Sequence, residues 1–367
     1  MRIGIDQRLL AFGPGGIAEY ALELLRALAP VAPQHELIGL GHRRGTRPPL
    51  PGRVRWTRLW TPPHHRLEQV SLIGELALLR LDLVHQPDFI PLFHRPGPSV
   101  ITVHDLAFLK FPGILTAESQ RYYGRVDRAV QRASRVIADS ESTRRDVIEL
   151  LNADPVKVRA IPLAAGSQYR PIPIQEARTT VAHELGLTRP YVLFVGTIEP
   201  RKNLPLLLRA WDRIVQTGVN AELAIVGRRG WLAEQTEEAA AQMKHPESVR
   251  WLGVASREHL PALYAAATAL ALPSLYEGFG LPALEAMSCG TPAVVSDVSS
   301  LPEVVGAAGI RLDPDDEAGW IQALTRLIEE REWRDEVAAR CLAQSRSFSW
   351  PRTAAATLAV YEEAARA

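Results

Sequence analysis

The stretch Tyr276-Glu277-Gly278-Phe279-Gly280-Leu281-Pro282-Ala283-Leu284-Glu285 places two carboxylates on either side of a glycine-spaced loop. Gly278 and Gly280 leave backbone amides able to face an anion or a hydroxyl. A carboxylate accepts from two hydroxyls at once, so Glu277 and Glu285 around such a nest suit a polyhydroxyl ligand. Two surface acids beside a turn would leave the glycine spacing and the second turn, Gly290-Thr291-Pro292, without a reason. A second constellation is Val195-Gly196-Thr197-Ile198-Glu199-Pro200-Arg201-Lys202-Asn203. Arg201 offers a fork and Lys202 a compact charge, a pair suited to a diphosphate. Two cations at a helix start also oppose the helix dipole, a cost that a bound anion removes.

The N-terminal half carries two weaker signals. Gly13-Pro14-Gly15-Gly16 leads into a helical stretch from Ile17, and glycines ahead of a helix let the backbone approach a phosphate. With Ala18 the string fits G-x-G-x-x-A. Against a dinucleotide site, Gln7 to Phe12 intervene after the first strand, where that turn is tight, and Leu40-Gly41-His42 lacks the ribose-binding acid. Val103-His104-Asp105 ends an apolar run, a position from which a side chain reaches a ligand crevice. Taken alone, His104 reads more simply as a histidine satisfied by a local backbone partner. Asp313-Pro314-Asp315 matches a metal-binding D-x-D, but it precedes a helix from Glu317, so Asp315 or Asp316 reads as a helix cap.

The elements that must position these residues are legible as short apolar runs alternating with longer helical segments. Strands are expected at Arg2–Asp6, Leu37–Leu40, Val100–Val103, Val136–Ala138, Val158–Pro162, Tyr191–Val195, Leu223–Val226, Ala269–Leu272, Ala293–Val295 and Gly309–Leu312. Runs apolar almost throughout belong to sheets covered on both faces. Helices are expected at Ile17–Ala29, Ala117–Ala133, Leu204–Val215, Arg257–Ala266, from Leu281 and over Glu317–Glu330. The repeated β-α order gives an α/β class. Leu163 to Thr179 has no clear period, and a fresh strand series starts at Tyr191. The expected domains are 1–168 and 169–349, with a final helix over 350–367 that packs toward the first domain, started by Pro351 in its first turn.

Composition bounds the function. With 42 Lys and Arg against 41 Asp and Glu, the chain lacks the basic excess of a nucleic-acid binder. Cys289 and Cys341 make neither a metal cluster nor a disulfide framework, and a reducing cytoplasm is the expected home. The start Met1-Arg2-Ile3-Gly4-Ile5-Asp6 runs straight into a strand with no export signal. The span 37–67 holds Arg43, Arg44, Arg47, Arg53, Arg55, Arg58 and Arg66 without an acid. It reads as a solvated loop, with a peripheral contact to anionic lipid through 43–66 as the alternative. Oligomeric state leaves no signal in the sequence.

Glu277 and Glu285, followed by Ala-Met-x-x-Gly-x-Pro, resemble the signature of family 4 retaining glycosyltransferases. The resemblance extends over the glycine loop, His104-Asp105, Asp139-Ser140-Glu141-Ser142, Glu199-Pro200-Arg201-Lys202-Asn203 and Ser296-Asp297. It implies a GT-B fold, two Rossmann-like domains facing across a cleft, with the acceptor on the first and a nucleotide sugar on the second. It further implies that Glu285 holds ribose, Glu277 the transferred sugar, and the amides of Gly278, Phe279, Gly280 and Leu281 sugar and phosphate. Lys202 and Arg201 then serve the pyrophosphate, Val254 lies beside the base, Gly15 and Gly16 complete the phosphate side, and His104 bonds the sugar near the reacting carbon. Thr197 stands where many relatives carry an arginine, which leaves Arg201 less certain in its role than Lys202. The Glu199–Asn203 string is most similar to polysaccharide mannosyltransferases, which points to GDP-mannose. No metal or other cofactor is implied, and His104, Lys202 and Glu277 are the expected catalytic groups. An epimerase on the same fold and a non-catalytic nucleotide-sugar sensor are the alternatives.

Overall fold

The structure, a computed structural model, describes residues 1–13, 15–111 and 123–366. The chain divides into two compact units, Met1–Leu163 with Ser349–Ala367, and Ala164–Phe348. The first boundary thus falls at Leu163, where residue 168 was expected.

The first unit is built on strands β1 (Arg2–Asp6), β2 (Glu36–His42), β3 (Arg55–Leu59), β4 (Leu83–Gln86), β5 (Ser99–Val103), β6 (Arg135–Ala138) and β7 (Val158–Ala160). They form one sheet in the order β3-β2-β1-β4-β5-β6-β7, every neighbouring pair parallel. The chain runs outward from β1 to β3 and then returns to lay β4 on the other side of β1. This reversal opens a crevice at the carboxyl ends of β1 and β4, the place where open α/β sheets bind ligands.

The helix Gly16–Val31 covers the sheet with Ala18, Ala21, Leu24, Leu25 and Leu28, all buried along one face. Packed beside it is the C-terminal helix Trp350–Arg366. Tyr361 shares a hydrogen bond of 2.7 Å with His85 Nδ1, Thr353 donates to the Pro162 carbonyl at 2.7 Å, and Glu363 accepts from Arg135 and Arg159 at 3.2 and 3.1 Å. Polar anchors therefore tie the chain's end to the first unit.

The second unit repeats the logic with β8 (Tyr191–Val195), β9 (Glu222–Val226), β10 (Val249–Gly253), β11 (Ala269–Leu272), β12 (Ala293–Ser296) and β13 (Ile310–Leu312). Its order is β10-β9-β8-β11-β12-β13, again parallel, with the reversal between β8 and β11. Helix Leu204–Gln216 buries Trp211, whose indole donates to Ser248 Oγ at 3.1 Å.

Several elements differ from the sequence expectation. The arginine-rich span is not all loop. Arg55–Leu59 forms edge strand β3, which needs only one covered side and tolerates charged side chains. Trp56 from it lies across Gly39 and Gly41 of β2, so closely that a Cβ on Gly41 would meet its ring at 2.1 Å. The region with no clear period contains the helix Ile174–Leu185, entered directly after Pro173. The helix expected from Arg257 starts at Leu260, after a turn. Of the helix expected over Ala117–Ala133, residues 117–122 lie outside the described residues, and Val126–Arg132 is helical. Helices Glu141–Leu150 and Arg331–Ser345 gave too little apolar period to be read.

The loop after β8 is wedged by backbone rather than side chains. Gly196 N donates to the Val226 carbonyl at 2.9 Å, and a Cβ on Gly227 would lie 1.7 Å from the Gly196 oxygen. Gly227→Ala is therefore expected to cost about 1–3 kcal/mol, as overpacking does. Gly74→Ala, mid-helix with nothing within 4 Å of the added carbon, should be neutral or stabilising. Paired thermal melts check both.

Candidate functional site

In the second unit the loops after β8 and β11 leave the sheet on either side of its reversal and meet. After β8 the chain makes a short 3-10 turn, Pro200–Lys202, and Asn203, at φ 52°, passes it into helix Leu204–Gln216. After β11 it reaches Glu277 and then Gly280, at φ 100°, which opens helix Leu281–Ser288. A side chain at Gly280 would be strained by that φ and would press on Leu301 at 2.7 Å.

The meeting point is a buried ion network. Lys202 Nζ lies 2.5 Å from Glu277 Oε1, Arg201 Nη1 donates to Glu277 Oε2 at 3.2 Å, and Arg201 Nε lies 2.5 Å from Glu199. Ser274 Oγ adds a bond of 2.7 Å to Glu277 Oε1. The main chain of Glu277 is held from both ends, its N–H by Ser299 Oγ and its carbonyl by Ser300 Oγ, each at 2.9 Å. Burial pushes the Glu277 carboxyl upward, but Lys202 and then Arg201 outweigh it and hold the group below its ordinary range. Burial lowers the Lys202 ammonium, with Glu277 opposing. Both cations are thus committed to carboxylates in this structure, and they fix Glu277. Sequence reasoning missed Ser274, Ser299 and Ser300, because single serines in loops carry no spacing signal.

Glu285 sits on the helix that Gly280 opens and accepts from the buried Tyr264 hydroxyl at 2.7 Å. The ring of Phe279 is buried edge-on against Phe348, their centroids 5.8 Å apart. Val254, after β10, is 75% exposed. Cys289 is buried, and its thiol is pushed up to about 12 by burial and then by Glu285. Asp316 accepts from Gly319 N at 3.0 Å as the cap of helix Glu317–Glu329. Among the described residues, no group of three or more His, Cys, Asp or Glu could hold a metal ion.

His104 and the glycine loop belong to the first unit. His104 follows β5, and its Nδ1 lies 2.6 Å from the carboxylate of buried Asp139, which follows β6. The carboxylate can only accept, so Nδ1 carries the hydrogen and Nε2 is the atom left for chemistry. That Nε2 is buried and has no hydrogen-bond partner. Burial disfavours the imidazolium, but Asp139 more than compensates, and the pKa is raised. Tyr20 meets the ring edge-on at 5.0 Å. Gly15 and Gly16 start the helix Gly16–Val31, and a Cβ on either would touch nothing within 4 Å, so packing within this chain does not require glycine at these positions. In the arginine-rich span, Arg43 stacks on Trp60 at 4.1 Å, and Arg47 and Arg53 donate to backbone carbonyls.

The family model described as Glycosyltransferase Family 4 matches residues 14–164, and that for Glycosyl transferases group 1 matches 177–344. The O-antigen chain mannosyltransferase B of Escherichia coli is 33% identical over 366 residues, covering 95% of this chain and 96% of that protein. A D-inositol 3-phosphate glycosyltransferase of Salinispora arenicola (strain CNS-205) is 34% identical over 401 residues, covering 96% and 88%. In fold, the sucrose-phosphate synthase of Thermosynechococcus elongatus superposes with a TM-score of 0.78 at 22% identity, over 99% of this chain and 98% of that one. Fold and site together define a glycosyltransferase of the GT-B class. Within it, the chain belongs to family 4, close to the mannosyltransferases of polysaccharide assembly.

Three outcomes test the electrostatics. Lys202→Met leaves a buried carboxylate without its main partner and should destabilise by about 3–5 kcal/mol, with Lys202→Met/Glu277→Gln recovering part of the loss. Because Glu277 is depressed, its stabilisation is present at neutral pH and is lost as pH falls through its folded pKa. The stability gap between wild type and Glu277→Gln, followed by denaturant melts, should therefore close in acid. Asp139→Asn should lower the His104 pKa, read by nitrogen NMR of the ring.

Proposed function

We propose that the chain is a retaining, metal-independent hexosyltransferase that moves mannose from GDP-mannose to a glycan or lipid-linked acceptor. The observation that carries this reading is the fixed Glu277, held by Lys202 and Arg201 beside the amides from Gly278 to Leu281, with Glu285 on the helix those amides begin. The name of the E. coli relative supports mannose and a growing glycan chain, while that of the Salinispora relative keeps a smaller acceptor in view.

In this reading the bond between the anomeric carbon and the diphosphate breaks as an acceptor oxygen approaches the face that the diphosphate leaves. Negative charge grows on the leaving phosphate and positive charge on the sugar, and preorganised dipoles and charges act on both. The helix amides after Gly280 and the cations Arg201 and Lys202 meet the phosphate. Glu277 fixes sugar hydroxyls, His104 Nε2 bonds the sugar near the reacting carbon, and the departing diphosphate takes the acceptor proton. Glu285 accepts from the ribose hydroxyls. Trp60, Leu67 and Val70, exposed near the arginine-rich span, would supply any contact with an anionic membrane, testable by vesicle cosedimentation.

The experiment is a calorimetric screen of nucleoside diphosphates and their sugars, followed by transfer assays with and without chelator. Glu285→Gln should weaken nucleoside diphosphate binding by about 1.5–3 kcal/mol, the value of a charge-assisted hydrogen bond. Anomeric coupling of early product by NMR should show retained configuration, and an inverted product would sink the mechanism. Restoration of chelated enzyme by Mg²⁺ would sink metal independence. An epimer formed from donor alone would favour the epimerase reading.

A further inference from the structure

The loops of the candidate site leave the carboxyl end of β8, and a separate open cavity lies where the chain enters that strand, at Tyr191. The strand runs from Tyr191 to Val195, so its two ends are roughly 13 Å apart. The cavity is bounded by the helix Ile174–Leu185, by the segment that leads from it into β8, and by Ala266 at the end of the helix Leu260–Ala266. Its free space is about 330 Å³, where a single water needs roughly 10–15 Å³. Gly186, at φ 67°, closes the first helix, and Leu187 N–H returns to the Val181 carbonyl at 3.2 Å. Buried Val181 and Leu187 give the cavity an apolar floor. Arg178 stands one helical turn before Val181 on the same face, and Arg189 reaches the cavity from the entry to β8.

The charges around this cavity do not balance. Among the described residues, no carboxylate lines it, and Arg178 has no hydrogen-bond or ion-pair partner. Arg189 lies 2.7 Å from Glu222, at the start of β9, but Arg250 draws on the same carboxylate oxygen at 3.5 Å. Arg178, Arg189 and Arg250 thus have one carboxylate among them, an excess of two positive charges. Other acids on the helix do not correct it. Glu184 is engaged by His183 at 2.8 Å and lies 3.9 Å from His259, and Glu176, two residues from Arg178, belongs to another face. A phosphate monoester carries about −1.5 to −2 at neutral pH and matches that excess. Its oxygens also suit planar guanidinium forks, which bond phosphate in pairs. An uncharged ligand would leave the excess uncompensated, and a monocarboxylate would meet half of it. The space beyond the phosphate, over Val181 and Leu187, suits an organic body rather than a bare ion.

We propose that this cavity is a second anion site, separate from the Lys202–Glu277 network, and that it takes the phosphate monoester of a small organic molecule. The phosphate lies between Arg178 and Arg189, and the organic body covers the apolar floor. Binding there is independent of the transferase reading, so it is tested without a donor or turnover. Calorimetry on the wild-type protein would use mannose 6-phosphate and phenyl phosphate, beside inorganic phosphate and methyl mannoside. At least one ester should bind, at least threefold tighter than inorganic phosphate and tenfold tighter than the uncharged glycoside. Arg178→Gln and Arg189→Gln should each weaken that ester at least fivefold, and Arg178→Lys should recover part of the loss. Thermal melting checks the fold of each variant. If Arg189→Gln fails to fold because Glu222 loses a partner, the exposed Arg178 carries the test. An ester held instead by Arg201 and Lys202 would bind folded Arg178→Gln with wild-type affinity, and that result overturns the proposal. So does binding of neither ester, or equal binding of inorganic phosphate or methyl mannoside.

Discussion

The second unit depends on one contact, the buried ion pair between Lys202 and Glu277. It joins two loops that are far apart in sequence and neighbours only because β8 and β11 lie side by side. Taking both charges out of water is expensive, and the pair persists because the carboxylate is supported further. Arg201 and Ser274 share the carboxylate, and Ser299 and Ser300 clamp its backbone. Such a network contributes less to net stability than to uniqueness of geometry. It gives Glu277 one position, which is what the role proposed for it requires.

The same economy appears in the first unit with a different composition. There the reversal of strand order brings Asp6, Arg8 and Asp88 together, and a buried arginine is neutralised by two carboxylates. Each sheet therefore presents a crevice at its own reversal, lined by a network of buried charges. Parallel sheets generate such crevices by topology, and the side chains decide what enters.

Much of the architecture was legible because central parallel strands must be apolar on both faces, as in Leu193 or Val294. What escaped reading has a shared cause. Arg55–Leu59 is an edge strand, and the helix Glu141–Leu150 relies on a polar cap, Ser140 accepting from Thr143 N at 3.0 Å, more than on an apolar stripe. In the site, Lys202, Glu277 and Glu285 were legible from charges set against glycines at strand ends. The buried tyrosine behind Glu285 was not, because nothing local marks Tyr264 as a partner for a residue two elements away. Nor did spacing show that Asp139 and His104 share a hydrogen, a contact made only when β5 and β6 pair.

The C-terminal helix gives the chain an order of assembly. Residues after Phe348 complete the first unit, while everything from Ala164 to Phe348 makes up the second. A nascent chain therefore holds all of its second unit before the first can bury Tyr20 or His85 against Trp350 and Tyr361. The N-terminal sheet must wait on the ribosome with one flank uncovered, and its last contacts span nearly the whole sequence, as in the bond between His85 and Tyr361. Contacts of that separation close slowly. The early sheet is then the part of this protein most in need of protection during synthesis, and the helix Trp350–Arg366 acts as a latch upon it.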